Sequence, residues 1–317
     1  MRRALELAAS VRATTSPNPW VGCVIDPGGF EGATQPPGGP HAELVALERA
    51  GDAARGATMV VTLEPCAHHG RTPPCVDAIL AAGVAKVVVG VEDPDPNVQG
   101  RGIARLRQAG VEVEVGVCAE EVRVQLAPYL KHRSTGRPWV VLKLAASADG
   151  RTAAPDGSSR WITGEAARAD AHRLRAESDA VIVGAGTVRA DDPELTVRAA
   201  EGRDPLRVVL GKAPAGAKVH PALELEGDLH EILADLGRRG VVQAMVEGGP
   251  TVAGEFHRAG LVDRYVLYLA PILFGGDDAR PMFAGPGAST IDDVWRGRIT
   301  AVERLDEDLK VELCLPA

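Results

Sequence analysis

The stretch from Pro40 to Cys75 reads PHAELVALERAGDAARGATMVVTLEPCAHHGRTPPC, and it sets a histidine, a glutamate and two cysteines in an order that chemistry can use. Apolar Leu44, Val45, Leu47 and Ala50 fall at helical spacing, so His41 and Glu43 stand at the N-terminus of a predicted helix. Thr58 to Leu63 predicts a strand; Cys66 follows it, and Cys75 opens the next predicted helix, Val76 to Ala82. Neutral imidazole and thiolates are ligands that zinc prefers, and a catalytic zinc takes three protein ligands and leaves its fourth position to water. His41, Cys66 and Cys75 make three. Helix N-termini carry partial positive charge, which favours thiolates beside them. Glu43 is then the candidate proton carrier. His68 and His69 leave open a four-ligand, purely structural site.

Outward from this stretch, strand and helix patterns alternate. Ala4 to Val11 has a helical apolar face and ends before Ser16-Pro17-Asn18-Pro19. Val21 to Ile25 predicts a buried strand, the turn Asp26-Pro27-Gly28-Gly29 closes it, and Phe30 to Thr34 is a weak second strand. Beyond Ala82 come a strand at Lys86 to Gly90, a helix at Arg101 to Gln108 and a strand at Val111 to Val115. This order predicts an α/β layer with a largely parallel sheet.

Helical spacing at Glu120 to Lys131 fades into Lys131-His132-Arg133-Ser134-Thr135-Gly136-Arg137-Pro138, where the domain boundary is expected, giving domains 1–136 and 137–317. The second half resumes the alternation with Trp139 to Ala145. Two apolar strands, Ala180 to Val183 and Val241 to Val246, run into Gly184-Ala185-Gly186-Thr187 and Glu247-Gly248-Gly249-Pro250-Thr251, and helical spacing over Val252 to Arg258 follows the second. Glycine lets a backbone approach a ligand closely, and a following helix N-terminus suits a phosphate. Two such turns point to a dinucleotide, although neither is G-x-G-x-x-G. Between Lys212 and Asp228 no pattern emerges, and a shortened or irregular connection is expected.

Composition bounds the reading. A chain of 317 residues with 45% hydrophobic and 25% charged residues is ordinary for two globular domains. Five cysteines, an odd number without paired spacing outside Cys66 and Cys75, argue against a disulfide framework, so Cys23, Cys118 and Cys314 read as packing residues. A net charge of −8 and only 3% aromatics argue against nucleic acid as a partner. No apolar run of about 18 residues speaks for a membrane span. A cytoplasmic location is expected.

Three segments, Ser16-Pro17-Asn18-Pro19-Trp20-Val21-Gly22-Cys23-Val24-Ile25, Pro40-His41-Ala42-Glu43, and Thr62 through Cys75, together resemble the deaminase domain of the bifunctional riboflavin-biosynthesis deaminase/reductase family. Zinc deaminases in general carry H-x-E followed by P-C-x-x-C, with the Glu as general acid/base. Eight residues between Cys66 and Cys75 set this branch apart from the nucleoside and RNA deaminases. The second half resembles the reductase domain of the same family at Lys143 to Ser147, Asp149 to Thr152, Ser159 to Thr163, Gly186 to Val188, Asp191 to Arg198 and Val246 to Pro250.

The resemblance implies a cytidine-deaminase-like three-layer domain followed by a dihydrofolate-reductase-like α/β domain. It implies zinc-dependent hydrolytic deamination of 2,5-diamino-6-(5-phosphoribosylamino)pyrimidin-4-one, with catalytic Glu43 and one Zn2+ per chain on His41, Cys66 and Cys75. NADPH-dependent reduction of 5-amino-6-(5-phosphoribosylamino)uracil to its ribityl form would follow. Implied cofactor contacts are Ala145, Trp161, Thr187, Asp191, Gly249, Pro250, Thr251, Val252, Ala253, Gly254 and Glu255. Implied substrate contacts are Asn18, Ser159, Arg175, Leu195, Arg198 and Glu247, the arginines being suited to hold a ribose phosphate bidentately. The partner expected is a small phosphorylated pyrimidine, and the assembly a homo-oligomer, dimer or tetramer. Where the family has a longer second strand and a His before Pro-His-Ala-Glu, this chain has the short turn Asp26 to Gly32 and Thr34.

Overall fold

The chain folds into two units, Met1–Arg137 and Pro138–Ala317, in a computed structural model that describes residues 1–68 and 73–315. In the first unit, strands β1 (Gly22–Asp26), β2 (Phe30–Ala33), β3 (Thr58–Leu63), β4 (Lys86–Val91) and β5 (Glu112–Val115) form a sheet in the order β2-β1-β3-β4-β5. β3, β4 and β5 are parallel, as the strand–helix alternation predicts. β1 runs antiparallel to both β2 and β3. The reversal comes from Gly28 and Gly29, whose φ of 113° and 64° let the chain turn back within the Asp26 to Gly29 loop.

Helices α1 (Arg2–Ser10), α2 (Arg12–Thr15), α3 (Ala42–Ala50), α4 (Cys75–Ala82), α5 (Arg101–Gln108) and α6 (Ala119–Thr135) complete this unit. Gly22 and Gly32 lie on opposite faces of the hairpin, since Gly22 pairs with Ala33 and Cys23 with Gly32. A Cβ on Gly22 would lie 1.9 Å from the Ala4 carbonyl oxygen of α1, and one on Gly32 would lie 2.1 Å from that of Ala42 in α3. Backbone therefore rests on backbone, and α3 is held at a fixed height above the sheet. With α1 and α6 on one face and α3 and α4 on the other, the unit has three layers. α6 outlasts the apolar pattern: it continues through Lys131 to Thr135, where the Ser134 and Thr135 hydroxyls donate to the Leu130 and Lys131 carbonyls, and Gly136 ends it at φ 71°.

The second unit holds β6 (Trp139–Ser147), β7 (Arg151–Ala153), α7 (Glu165–Ala176), β8 (Ala180–Gly184), α8 (Ala185–Asp191), β9 (Leu206–Leu210), β10 (Leu223–Leu225), α9 (Leu229–Arg238), β11 (Gln243–Val246), α10 (Pro250–Arg258), β12 (Arg264–Ala270), β13 (Arg280–Pro281), β14 (Arg298–Leu305) and β15 (Asp308–Cys314). Eight strands make one sheet, β10-β9-β8-β11-β6-β12-β15-β14, parallel as far as β12 and antiparallel at β15 and β14. β7 and β13 form a separate ribbon.

Alternation along the strands feeds two cores. Val140, Leu142 and Leu144 of β6 pack with Leu233 and Leu236 of α9 and Phe256 of α10. On the other face Val141, Met245 and Val266 meet Leu174 of α7, while Val181, Val183 and Val209 meet Val188 of α8. The segment Lys212 to Asp228 is less irregular than expected, because Leu223 to Leu225 adds a parallel strand beside β9. Among the described residues, no helix is long and apolar enough to cross a membrane.

Candidate functional site

The C-terminal end of β3 and the N-termini of α3 and α4 converge in the first unit. His41 is the extended residue before α3, and Cys75 is the first residue of α4 behind Pro74. The loop after β3 brings in Cys66, whose carbonyl accepts from Val76 N at 3.2 Å and whose Sγ accepts from Cys75 N at 3.4 Å. His41 Nδ1 lies 3.2 Å from Cys75 Sγ and 3.7 Å from Cys66 Sγ. Tetrahedral zinc, with bonds of about 2.0 Å to nitrogen and 2.3 Å to sulfur, sets those atoms about 3.6 Å apart. The three ligand atoms, all within 4.8 Å of one another, therefore fit zinc.

Their acid–base chemistry fits as well. A hydrogen bond from Cys75 holds Cys66 well below the usual thiol range, while that shared proton, and then burial, push Cys75 far up. By themselves the sulfurs hold one negative charge; a second needs a cation. Glu43, 4% exposed, sits two residues after His41 in the first turn of α3, and burial raises its proton affinity against the opposing pull of His41. Among the described residues His68 is exposed and outside the ligand cluster, and His69 lies outside the described residues, so the trio stands without a fourth protein ligand there.

Two buried carboxylates fasten the surrounding loops. Glu64 accepts four backbone N–H groups: Asp93 and Gly100 at 3.2 and 2.9 Å on one oxygen, Gly102 and Ile103 at 2.9 and 3.1 Å on the other. Asp93 accepts from Asp95 N and from the Tyr129 hydroxyl, and burial raises its carboxyl to about 6. Thr34 is buried; its hydroxyl ties both backbone groups of Val21, fastening the end of the β1–β2 hairpin. Asn18 is half-buried in the turn that leads from α2 to β1, where its N–H donates to Thr15 O.

In the second unit a cavity of about 980 Å³ opens above β6, β8 and β11. The two glycine turns meet there: Gly249 N donates to Thr187 Oγ1 at 3.1 Å. Ala145, Trp161, Thr187, Asp191, Gly249, Pro250, Thr251, Val252 and Glu255 line it, and so do Ser159, Arg175, Leu195, Arg198 and Glu247. Ala253 and Gly254 do not. Helical periodicity turns Ala253 into the core, fully buried, and puts Gly254 against the Ala284 carbonyl, where a Cβ would come within 2.2 Å. Arg175 lines the cavity with part of its fork engaged: Glu247 accepts from it at 2.8 and 3.0 Å and Thr196 O at 2.6 Å, so it also orders the cavity wall. Burial alone would raise the Glu247 carboxyl, but Arg175 and Lys143 outweigh it and hold it below the usual range.

Comparison with known proteins matches residues 1–91 to the cytidine and deoxycytidylate deaminase zinc-binding region and residues 138–311 to the RibD C-terminal domain. The riboflavin biosynthesis protein RibD of Mycobacterium tuberculosis is 47% identical, the alignment covering 99% of this chain and 96% of that protein. The RibD of Escherichia coli is 41% identical over 99% of this chain and 98% of its own length. Acinetobacter baumannii RibD, a solved structure, superposes with a TM-score of 0.93 at 40% identity, covering 100% of this chain and 98% of that one. A Thermotoga maritima diaminohydroxyphosphoribosylaminopyrimidine deaminase/5-amino-6-(5-phosphoribosylamino)uracil reductase superposes with a TM-score of 0.88 at 35% identity, over 100% and 97%. The chain belongs to the RibD family.

Membership makes it a bifunctional deaminase and reductase of riboflavin biosynthesis, with a zinc-binding deaminase domain ahead of a reductase domain. The fold class follows, a cytidine-deaminase-like unit and a RibD-type reductase unit. Sequence reasoning passed over Lys143 and Arg168, which also line the cavity. Lys143 had a signal: it is the one charged residue in the apolar run of β6, and it sits 3.9 Å from Glu247 in surroundings that loosen its hold on a proton by burial. Glu64 had none, because its partners lie 29 to 39 residues further along the chain.

Proposed function

We propose that the first unit deaminates 2,5-diamino-6-(5-phosphoribosylamino)pyrimidin-4-one and the second reduces 5-amino-6-(5-phosphoribosylamino)uracil with NADPH. The observation that carries this reading is the pairing, in one chain, of a His-Cys-Cys cluster beside a buried carboxylate with a separate large cavity edged by two glycine turns. His41, Cys66 and Cys75 hold the zinc. When bound, zinc lowers the pKa of a water from about 15.7 to about 7 and so supplies a nucleophile at neutral pH. Glu43 takes the proton released as the new carbon–oxygen bond forms and gives it to the exocyclic nitrogen as the carbon–nitrogen bond breaks, so that ammonia leaves. Its burial suits it to this work, since a carboxylate with raised proton affinity exchanges protons closer to neutrality.

In the second unit the glycine turns and the N-terminus of α10 receive the dinucleotide, and Trp161, 70% exposed at the cavity's edge, offers it a flat apolar face. When bound, NADPH would supply a hydride to C1 of the opened ribose, with a proton taken up from water to complete the reduction. Arg198 is exposed and paired with the exposed Glu194, an ion pair worth about 1 kcal/mol or less, so it can turn to the phosphate of the sugar. Arg175 acts behind it by fixing Glu247 at the wall. The protein works as a homo-oligomer in the cytoplasm on this small phosphorylated substrate. Purified protein should contain one zinc per chain, release ammonia from the diaminopyrimidine and oxidise NADPH on its deaminated product. Ammonia release with no NADPH bound, followed by its fluorescence, would sink the second half of the reading.

A further inference from the structure

His41, Cys66, Cys75 and Glu43 serve the ring end of the deaminase substrate, and Asn18 carries no charge, so the phosphate end calls for a cation elsewhere in the first unit. Arg133, in the last turn of α6, stands between two loops at the sheet edge where the chain leaves β3 for Cys66. One loop is the turn before β1. Arg133 Nη2 donates to Pro17 O at 3.5 Å, and Gly22 N at the start of β1 donates to Thr62 Oγ1 of β3 at 3.2 Å. The other loop follows β4. Arg133 Nε lies 3.7 Å from Asp95 Oδ2, and β4 ends beside β3 where Glu64 N donates to Val91 O at 3.0 Å.

These ties are weak. The hydrogen bond is long, the ion pair is loose, and Nε is buried with no hydrogen-bond partner among the described residues. Arg175, by contrast, donates from Nε, Nη1 and Nη2 at 2.6 to 3.0 Å. The Arg133 guanidinium lies over the Tyr129 ring, 5.0 Å from its centre, and the Tyr129 hydroxyl is fixed to Asp93 at 3.0 Å. A ring beneath it steadies the guanidinium plane, while a side chain 29% exposed is open to a ligand. Asp95 is occupied elsewhere: its Oδ1 accepts from Asn97 N at 2.9 Å and Asn97 Nδ2 at 3.0 Å, which shapes the loop. A phosphate dianion, which takes a guanidinium fork bidentately, competes well with so loose a carboxylate contact. We propose that Arg133 receives the phosphate of the diaminopyrimidine in the first unit, a grip separate from that of Arg198 in the second.

The inference rests on the deaminase reading above and names a residue that fixes its substrate class. Ammonia release by the full-length protein, on the phosphorylated diaminopyrimidine and on its dephosphorylated counterpart, tests both. Arg133→Met should lower kcat/KM for the phosphorylated substrate about tenfold to a hundredfold, the share of a charge-assisted contact. On the dephosphorylated substrate the variant should match the wild type, which also verifies that the first unit is folded. Arg133→Lys keeps the charge without the fork and should fall between the two. Ribose 5-phosphate should inhibit ammonia release by Arg133→Met less well than that by the wild type. A wild type that releases no ammonia from either substrate would overturn the deaminase reading and this inference with it. An active wild type that treats the two substrates alike would overturn the inference alone. So would an Arg133→Met variant unchanged on the phosphorylated substrate, or one that loses the same factor on both, since Arg133 would then serve only the loops it touches.

Discussion

The ligand trio of the first unit comes from the single stretch His41 to Cys75, whereas the cavity of the second draws its lining from strands, helices and loops scattered between Lys143 and Arg280. The metal site needs three donors within a few ångströms and a proton carrier beside them, and two helix N-termini at one strand end supply all of it. A dinucleotide and a sugar phosphate span a much longer surface, so the second site has to be assembled from the edge of a whole sheet. Compactness makes the first site vulnerable to single substitutions in chemistry, and dispersal makes the second vulnerable mainly where buried charges depend on one another.

If the two sites are independent, the largest effect should be confined to one of them. Glu43→Ala removes the proton carrier, and loss of a positioned acid–base group costs about 10² to 10⁴ in rate. Ammonia release should fall by that factor or more while NADPH oxidation on pre-deaminated substrate holds its wild-type rate. Loss of both activities would contradict separate sites. Arg175→Ala comes next. It strips Glu247 of two hydrogen bonds and leaves a buried carboxylate with Lys143 at 3.9 Å, and breaking a buried pair from one side costs about 3 to 5 kcal/mol. Calorimetry should show the reductase unit unfolding earlier with ammonia release preserved; an unshifted transition would mean that the pair is not a mainstay of the wall.

What the sequence made legible follows the same division. His41, Glu43, Cys66 and Cys75 were readable because their spacing, helix starts and strand end are all local, and the strand–glycine–helix turns at Gly186 and Gly249 were readable for the same reason. The inward turn of Ala253 and Gly254 was not, since seven consecutive residues of a helix start cannot all face one cavity. The ties of Arg175 to Glu247 and Thr196 were hidden because these residues are its neighbours only after the sheet forms. β10 escaped notice because three residues at a sheet margin carry too little pattern, and the last turn of α6 because its polar side chains hold it through hydroxyl-to-carbonyl bonds instead of an apolar face.

Supports outside the motif give the compact site a pH signature of its own. Asp93 is raised to about 6 by burial, above an ordinary value near 3.8. Folding thus favours its protonated form, and the stability this contributes is full below about pH 4 and lost as pH rises through 6. By the free energy of a shift of that size, the loss is on the order of 3 kcal/mol. Asp93→Asn cannot ionise. The difference in unfolding free energy between wild type and variant should therefore fall across pH 4 to 6.5, and a flat difference would mean that Asp93 ionises as freely in the fold as out of it.

Glu64 sets a smaller and more specific test of how far the compact site depends on residues beyond it. Its two oxygens take four N–H groups from Asp93, Gly100, Gly102 and Ile103, and the Pro65 carbonyl stands where a Cβ on Gly102 would come within 2.0 Å. The peptide leading into Cys66 therefore rests on the start of α5, and Glu64 holds that start in place. Glu64→Gln keeps the shape but turns an NH2 toward two of the four donors, leaving them without an acceptor. Supporting groups around metal ligands typically change metal affinity by about tenfold or more. Competition with a chelator should show zinc leaving the variant about ten times more readily, with NADPH oxidation unchanged. Zinc retention equal to wild type would show that the His41 to Cys75 stretch keeps its ligands in place without this clamp.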